Sequence, residues 1–411
     1  MVSEMIDYVA AAVGIVIVFL AGIFIFGNMV SNGIAYSQQE NTILGSQSLF
    51  DYILLSPGSP ANWGSTAKPP LAFGLADYAS AQPYTLSASS VMRLLESSFA
   101  FQSNTVTYHG KTYINLTNNN FSALISTSSV LNYTYIKQLL DINGQYEFYL
   151  TLQPAIAFKI HKLQTTQGTA FSVSLTNYQG LPLAGAQLAA TLIYQTQNSL
   201  SVYLASASNT TNLSGVAILE FNQQPAAFDL IVQATVAGLT GWGYYTNITP
   251  SKLEAYALIQ PGADNITLVQ HCALITTPSC GVDQFNASEL VPSGLNEFEV
   301  VNLTCTRYTL NAGRGVGNVH KSSDCFAILP KGFIVVAIQQ VGNGQQSRVF
   351  LEIFPMSVAL GNMDVAFGLN PVVARAVSVT TLTRLVNIDG VSYVATFAYW
   401  PDYGQVYGGF P

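Results

Sequence analysis

The cysteines are the residues whose type and spacing best suit chemistry, and they are confined to the C-terminal part of the chain. There are four of them: Cys272, Cys280, Cys305 and Cys325. An even number clustered in this way predicts two disulfides, for which three pairings are possible. A zinc site is the weaker alternative, because no C-x-x-C spacing occurs, although His271 adjoins Cys272 and His320 precedes Cys325 by five residues.

Motifs for catalysis or nucleotide binding are not found in the sequence. The glycine-rich run from Gly313 to Gly317 lacks the Gly-Lys-Ser/Thr of a phosphate-binding loop, and neither G-x-S-x-G nor H-E-x-x-H occurs. Carboxylates are sparse, and four of them could meet only through the fold: Asp51, Glu147, Asp229 and Glu352. We therefore predict that the chain is not an enzyme and has no cofactor and no metal site.

The composition is unusually poor in charge. Charged residues make up 9% and hydrophobic residues 49% of the chain, against a usual charged share of about 25%. The polar surface must therefore consist of Ser, Thr, Asn and Gln, which keep the same character from acid to alkaline pH. An acidic habitat and extensive burial in subunit contacts both explain this. The net charge of −7 argues against nucleic acid as a partner.

Potential N-glycosylation sites are dense after the first part of the chain. Each has the pattern N-x-S/T, and none precedes Lys68. They are Asn115, Asn120, Asn132, Asn209, Asn212, Asn247, Asn265, Asn286 and Asn302. Attached N-linked glycans would supply the hydration that the missing charges do not, so we predict a glycosylated exterior.

The N-terminal part is the element around which these residues must be arranged. No charged residue occurs from Tyr8 to Tyr36, and roughly 20 apolar residues are enough for a helix to cross a bilayer. We predict a helix from about Ser3 through Leu55, which turns amphipathic after Tyr36 and stops at Pro57.

The flank of this helix is acidic rather than basic. Glu4 and Asp7 precede the apolar run, and the first Lys or Arg is Lys68. Membrane anchors usually carry basic residues on the cytoplasmic flank, so we expect that a basic leader has been removed. A carboxylate at the tip of an apolar helix is costly without a cation, and the α-amino group of a neighbouring copy would supply one.

An acidic residue just inside the N-terminus followed by a long apolar helix resembles the type IV pilin superfamily, and more narrowly the archaeal pilins. The run from Leu54 to Trp63, Leu-Leu-x-Pro-Gly-x-Pro-x-Asn-Trp, and the C-terminal run from Thr383 to Trp400 are similar to that family too. The resemblance implies a homo-oligomeric helical filament, assembled from the membrane with a leader peptidase and assembly machinery. It implies these polymerisation residues: Glu4, Asp7, Val13, Ile17, Phe19, Leu20, Ile23 and Phe26.

The remainder of the chain is predicted to be mostly β. Short alternating segments between Gly, Asn and Pro turns are typical of strands. The predicted fold class is a long N-terminal α-helix over residues 1–64, followed by a small α+β module over 65–160. An immunoglobulin-like β-sandwich over 161–255 and a disulfide-bonded, β-rich C-terminal domain over 256–411 complete it.

Two functions from different classes are consistent with these features. The first is the structural subunit of an extracellular, type IV pilus-like filament on the cell surface, serving adhesion more readily than motility. The alternative is a monomeric, membrane-anchored surface adhesin or envelope protein, which needs only about 20 residues of the helix in lipid.

Overall fold

The fold was analysed in a computed structural model, which describes the chain in separate ranges. These are residues 19–27, 29, 40, 42–66, 68–94, 105–108, 111–115, 123–126, 131–196, 201–247, 255–259, 265–270, 283–294, 297–305, 322–326, 332–340 and 348–402.

The long N-terminal helix predicted from Ser3 to Leu55 is wrong. Within the described residues, helix covers 19–27 and 42–55 together with the single residues 29 and 40. Phe50, Ile53 and Leu54 are buried, whereas Phe24 is 72% exposed. Hydropathy records that a segment is apolar but not whether anything packs against it. Of the two described helical ranges, 19–27 and 42–55, the second has a core to pack on. None of the described helices is both long and apolar enough to cross a bilayer, so the predicted transmembrane helix is also corrected.

Strands account for most of the remaining secondary structure. Those in the first part of the chain are β1 (Thr85–Leu86), β2 (Thr105–Tyr108), β3 (Lys111–Asn115), β4 (Ala123–Ser126), β5 (Tyr146–Pro154), β6 (Ile156–Leu163), β7 (Thr169–Asn177), β8 (Gln187–Gln195), β9 (Tyr203–Thr210), β10 (Val216–Phe221), β11 (Ala227–Val236) and β12 (Leu239–Thr246).

The second part of the chain contributes shorter pairs and two long hairpins. Its strands are β13 (Ala255–Ile259), β14 (Asn265–Gln270), β15 (Asp283–Gly294), β16 (Glu297–Asn302), β17 (Thr304–Cys305), β18 (Ser322–Phe326), β19 (Phe333–Gln340), β20 (Arg348–Pro355), β21 (Val365–Gly368), β22 (Thr380–Ile388) and β23 (Val391–Pro401). Short helices are the 3-10 turn Trp63–Ser65, α1 (Ala88–Met92) and α2 (Tyr133–Leu139).

A five-stranded sheet joins the two ends of the described chain, in the order β1-β22-β23-β5-β21. The alternation of Phe148, Leu150 and Leu152 buries one face of β5, as the sequence pattern predicts. The 42–55 helix packs there, with the ring of Phe50 stacked 5.1 Å from that of Phe397. The predicted limits 65–160 and 256–411 thus separate strands that share one sheet.

The loop after the 42–55 helix is held by Trp63 and Arg93, both buried. The Trp63 indole N–H donates to the carbonyls of Pro57 and Gly74, each at 3.0 Å. Gly58 has a φ of +77°, and a Cβ there would overlap the carbonyl of Ala72, so glycine is required. The Leu-Leu-x-Pro-Gly-x-Pro-x-Asn-Trp pattern therefore closes this loop onto the five-stranded sheet.

Strands β6 to β12 form a two-layer sandwich. One sheet has the order β10-β7-β6 and the other β12-β11-β8-β9, with every neighbouring pair antiparallel. Phe171 lies at the centre of the core, with ring centroids 5.8 Å from Phe228 and 5.5 Å from Tyr245. The β part of the predicted fold class thus fits in part, since a sandwich forms where an immunoglobulin-like domain was predicted.

Two further sheets complete the described fold. One has the order β17-β18-β14-β13-β4-β3-β2, and the other, which we call the β15–β20 sheet, has the order β16-β15-β19-β20. The outer face of the four-stranded sandwich sheet packs on the β15–β20 sheet, where Trp242 contacts Phe298 and Phe333 with ring centroids 6.0 Å apart in each pair. The sandwich is therefore covered on one side.

Candidate functional site

The cysteines predicted to form disulfides are only partly within the described residues. Cys305 on β17 is the register partner of Cys325 on β18, so the topology places these two at adjacent positions of one sheet. Cys272 and Cys280 lie outside the described residues. The pairing of the four cysteines stays a prediction.

The four carboxylates that could have met in space lie on separate elements with separate partners. Asp51 accepts a hydrogen bond from the Tyr84 hydroxyl at 3.4 Å, and Glu147 pairs with Lys137. Asp229 is on β11 of the sandwich and Glu352 is on β20. Burial, and after it the charge of Glu352, raises the pKa of the Tyr256 hydroxyl. In the described ranges no group of three or more His, Cys, Asp or Glu residues could hold a metal ion.

A buried polar cluster lies between α2 and β5. Lys137 Nζ is 2.5 Å from Glu147 Oε1, and the Tyr133 hydroxyl donates to Glu147 Oε2 at 2.5 Å. The Tyr133 oxygen also accepts the backbone N–H of Phe148 at 3.0 Å. Burial, followed by the hydrogen bond to Glu147, raises the pKa of Tyr133. These groups are satisfied by each other and by the backbone, as in a buried structural network.

Asp229 is the most anomalous charge-bearing residue in the described fold. It is fully buried, and neither carboxylate oxygen accepts a hydrogen bond from the described part of the chain. Burial raises its pKa to about 8, although the nearby Thr246 hydroxyl and the Asn247 amide offset part of the rise. Asp229 shares a face of β11 with Ile231, which packs towards the β15–β20 sheet. A protonated, neutral carboxyl is therefore expected there at neutral pH.

The predicted glycosylation sites fall into two groups. Exposed side chains in the described residues are Asn132, Asn209, Asn212, Asn247 and Asn286. The side chains of Asn115, Asn120, Asn265 and Asn302 lie outside the part of the structure that is described. Exposure is compatible with an attached glycan, and glycosylation stays a prediction at all nine sites.

The predicted polymerisation residues are likewise divided. Glu4, Asp7, Val13 and Ile17 lie outside the described residues. The other four are exposed in the single chain, between 55% and 69%: Phe19, Leu20, Ile23 and Phe26. Nothing in the described structure packs over them enough to bury them.

An exposed apolar loop between β21 and β22 was not singled out by the sequence. We call residues 369–379 the valine loop. Val372 and Val373 are 82% and 77% exposed, and Val377 is 59% exposed. The signal that could have found it is a proline followed by two valines between two strands, Asn370-Pro371-Val-Val.

Backbone hydrogen bonds hold the valine loop in one shape. The Asn370 side chain accepts the N–H of Val372 at 2.9 Å, and the Asn370 carbonyl accepts the N–H of Ala374 at 2.9 Å. The Pro371 carbonyl accepts the N–H of Ala376 at 2.9 Å. Val372 and Val373 thus lie on a hydrogen-bonded turn over residues 371–375, and Val377 follows it.

A small cleft lies between the sandwich and the β15–β20 sheet. Its volume is about 220 Å³. Its lining mixes apolar and hydroxyl or amide side chains: Ser201, Val202, Leu204, Asn286, Ser288, Leu290, Val300 and Val335. No charged side chain lines it among the described residues, so its chemistry suits an uncharged group.

Comparisons with known proteins identify no family. No protein family matches the chain, and no curated protein matches it. Among solved structures, one match is the crystal structure of invasin, a bacterial integrin-binding protein. The two chains are 11% identical in sequence, and the TM-score is 0.15. The match covers 59% of this chain and 54% of the invasin chain. The chain thus matches about half of the length of that structure, and at this TM-score the likeness carries no argument about fold or function.

The resemblance to type IV pilins is wrong. It depended on one continuous N-terminal helix, whereas the described chain is mostly β with short helices. The Leu-Leu-x-Pro-Gly-x-Pro-x-Asn-Trp run and the run from Thr383 to Trp400 have another explanation, because they build the covering loop and two strands of the five-stranded sheet. The features that suggested the family are thus accounted for by packing within one chain.

Proposed function

We propose that this chain is a β-rich cell-surface protein that acts by binding, as an adhesin or an envelope component, and not as an enzyme. The observation that carries the proposal is the valine loop, whose side chains at 372, 373 and 377 are exposed. Exposed apolar patches commonly mark interaction sites. An extracellular location and a glycosylated exterior belong to the same proposal.

The hydrogen-bonded turn in the valine loop supports a binding role. Holding apolar groups in one shape before contact reduces the entropy lost on association. The loop has one charged residue, Arg375, so its contact with a partner must be largely apolar. We propose that it meets an apolar surface of another protein.

The experiment is attachment of beads coated with the full-length chain to cells. The variant Val372→Ser/Val373→Ser should lower attachment at limiting coating density, while the chain stays folded because both side chains are exposed. Burying each valine in a complex contributes about 1.5 kcal/mol or more, so the loss of both should weaken the affinity about a hundredfold or more.

A matched control is Leu213→Ser, which removes another exposed apolar side chain, 90% exposed, from a turn of the sandwich. It should leave attachment unchanged. Equal attachment by the wild-type chain and the double variant would reject the valine loop as the contact surface.

A further inference from the structure

Cys305 and Cys325 occupy directly opposed positions on two adjacent antiparallel strands. β17 pairs with β18, and Cys305 is the register partner of Cys325. Opposed residues of an antiparallel pair have Cα atoms about 4.5 or 5.5 Å apart, depending on whether they share hydrogen bonds. A disulfide requires Cα atoms about 4.4 to 6.8 Å apart. The backbone register therefore satisfies the distance that a disulfide needs.

The position of Cys325 is set by the interior of the seven-stranded sheet. On the side away from β17, β18 pairs with β14 in five register pairs, among them Ile266 with Cys325. β14 in turn pairs with β13, and β13 pairs with β4. The strand that carries Cys325 is thus held in register by a ladder in which Cys305 takes no part.

The position of Cys305 is set independently, from the β15–β20 sheet. One residue separates β16 from β17, and the last residue of β16, Asn302, is the register partner of Ser288 on β15. The N–H of the intervening Leu303 donates to the carbonyl of Ala287 at 3.1 Å, and the Leu303 side chain is buried. Two separate sheets therefore place the two cysteines opposite each other.

We propose that Cys305 and Cys325 form a disulfide, which leaves Cys272 and Cys280 as the second pair. This selects one of the three pairings that the sequence allows. Both thiols lose their protons, a bond forms between the two sulfur atoms, and two electrons pass to a disulfide of an oxidising partner, which is reduced to two thiols. The extracellular location in the proposed function supplies the oxidising compartment, so the inference rests on that part of the proposal and not on the valine loop.

The disulfide would secure a short edge of the seven-stranded sheet. β17 has two residues, and among the described strands it pairs with β18 alone. A covalent bond there closes a loop between positions 305 and 325, which are 20 residues apart, and a closed loop restricts the unfolded chain. Because β17 follows β16, the bond would also tie the β15–β20 sheet to the seven-stranded sheet.

Digestion with trypsin and a protease that cleaves after Glu separates the cysteines into three peptides. The full-length chain is purified without reductant and in a thiol-blocking reagent, so that disulfides do not exchange. The peptides are residues 255–289 with Cys272 and Cys280, residues 300–307 with Cys305, and residues 322–331 with Cys325. A glycan at Asn302 would add mass to the second peptide without changing which peptides are joined.

The proposed pairing predicts one linked pair of peptides. Peptides 300–307 and 322–331 should be joined, while peptide 255–289 should be unattached and lighter than its reduced form by two hydrogen atoms. Each of the other two pairings would join all three peptides into one species. Mass spectra before and after reduction therefore distinguish the proposed pairing from both alternatives.

Two double variants give a matched comparison of free thiols, because each replaces two cysteines. Cys305→Ser/Cys325→Ser removes one whole disulfide and should leave no thiol that reacts with a labelling reagent after denaturation. Cys272→Ser/Cys305→Ser removes half of each disulfide and should leave two reactive thiols. Pairing of Cys272 with Cys305 would give the reverse.

Three results would overturn the proposal. They are a species in which all three peptides are joined, free thiols at Cys305 or Cys325 in the wild-type chain, and bound zinc that a chelator must remove before the cysteines react. The peptides are read from the wild-type chain, so a variant that does not fold leaves the test intact. A wild-type chain with free thiols that still attaches through the valine loop would reject the disulfide and leave the proposed binding role standing.

Discussion

At the scale of single residues, hydrogen bonds from buried polar side chains stabilise the irregular loops in the first part of the fold. The Arg93 guanidinium donates to the carbonyls of Trp63 at 2.7 Å, Thr66 at 3.1 Å and Lys68 at 2.8 Å. It also lies over the Trp63 ring, 5.3 Å from the centroid. Carbonyls of an irregular loop need such donors when they are buried, and a planar guanidinium can reach several at once.

Asp229 represents the opposite case, a buried carboxyl without a hydrogen bond from the described residues. Its raised pKa means that the folded state holds a proton which the unfolded chain releases near the ordinary value of 3.8. Between that value and about 8 the unfolded state binds fewer protons, so the free energy of unfolding falls as pH rises. The residue thus makes the fold more stable in acid than at pH 8.

We expect Asp229→Asn to remove this pH dependence and to stabilise the protein at pH 8. The amide has no charge to bury, and the rise of the carboxyl pKa from 3.8 to about 8 corresponds to a gain on the order of 5 kcal/mol at most. Urea denaturation at pH 4, 6 and 8 measures the effect. Glu220→Gln, at an exposed carboxyl on β10, is the control and should change the slope little. A variant that is less stable than the wild type at pH 8 contradicts the assignment.

At the scale of elements, the sandwich is organised by apolar residues that alternate along its strands. Phe171, Val173 and Leu175 of β7 all point into the core, whereas the outer face of the other sheet is buried a second time against the β15–β20 sheet. A sheet covered on both faces loses the simple alternation of buried and exposed residues. Accordingly, seven of the nine residues of β8 are buried, and six of them are consecutive.

Phe171→Ala should lower the free energy of unfolding of the sandwich by about 3 to 5 kcal/mol, as removal of a buried ring leaves a cavity. The Phe171 ring touches aromatic rings from three other strands, those of Phe221, Phe228 and Tyr245. Hydrogen exchange of amides in residues 156–246 measures the loss. Tyr178→Ala, at an exposed ring in the turn after β7, is the control. Equal exchange rates in the two variants would show that the predicted core is not the one that stabilises the sandwich.

At the scale of the whole molecule, strands from the last part of the described chain pair with strands from its first part. β22 and β23 pair with β1 and β5, so residues near 85 and 150 share a sheet with residues near 390. Contacts between such distant segments cost loop-closure entropy. We expect the first part of the chain to depend on the last part for its fold.

Truncation after Val379, which removes β22 and β23, should expose the amides of β5 to hydrogen exchange. β5 would lose its β23 partner along all nine residues, and the rings of Phe50 and Phe148 would lose their contact with Phe397. Truncation after Asp402 is the control, since it keeps both strands and should leave exchange in β5 unchanged. Undiminished protection of β5 in the shorter chain would show that the first part folds by itself.

The sequence alone determined where the strands and turns lie in much of the chain. Alternating apolar residues are visible in the sequence where β5 and β7 form, because a period of two in polarity has a direct structural cause. The cluster of cysteines, the sequons and the scarcity of charge are likewise properties of the sequence. None of them depends on which segments come together.

Only the tertiary structure decided which strands share a sheet, that the Asp229 carboxyl is fully buried, and that the valine loop is exposed. The predicted N-terminal helix failed for the same reason. Apolar length shows that a segment can be buried, but burial depends on a second surface, and for Phe24 the described fold does not supply one that covers it. Partners far apart in the chain are chosen by packing, which no local pattern records.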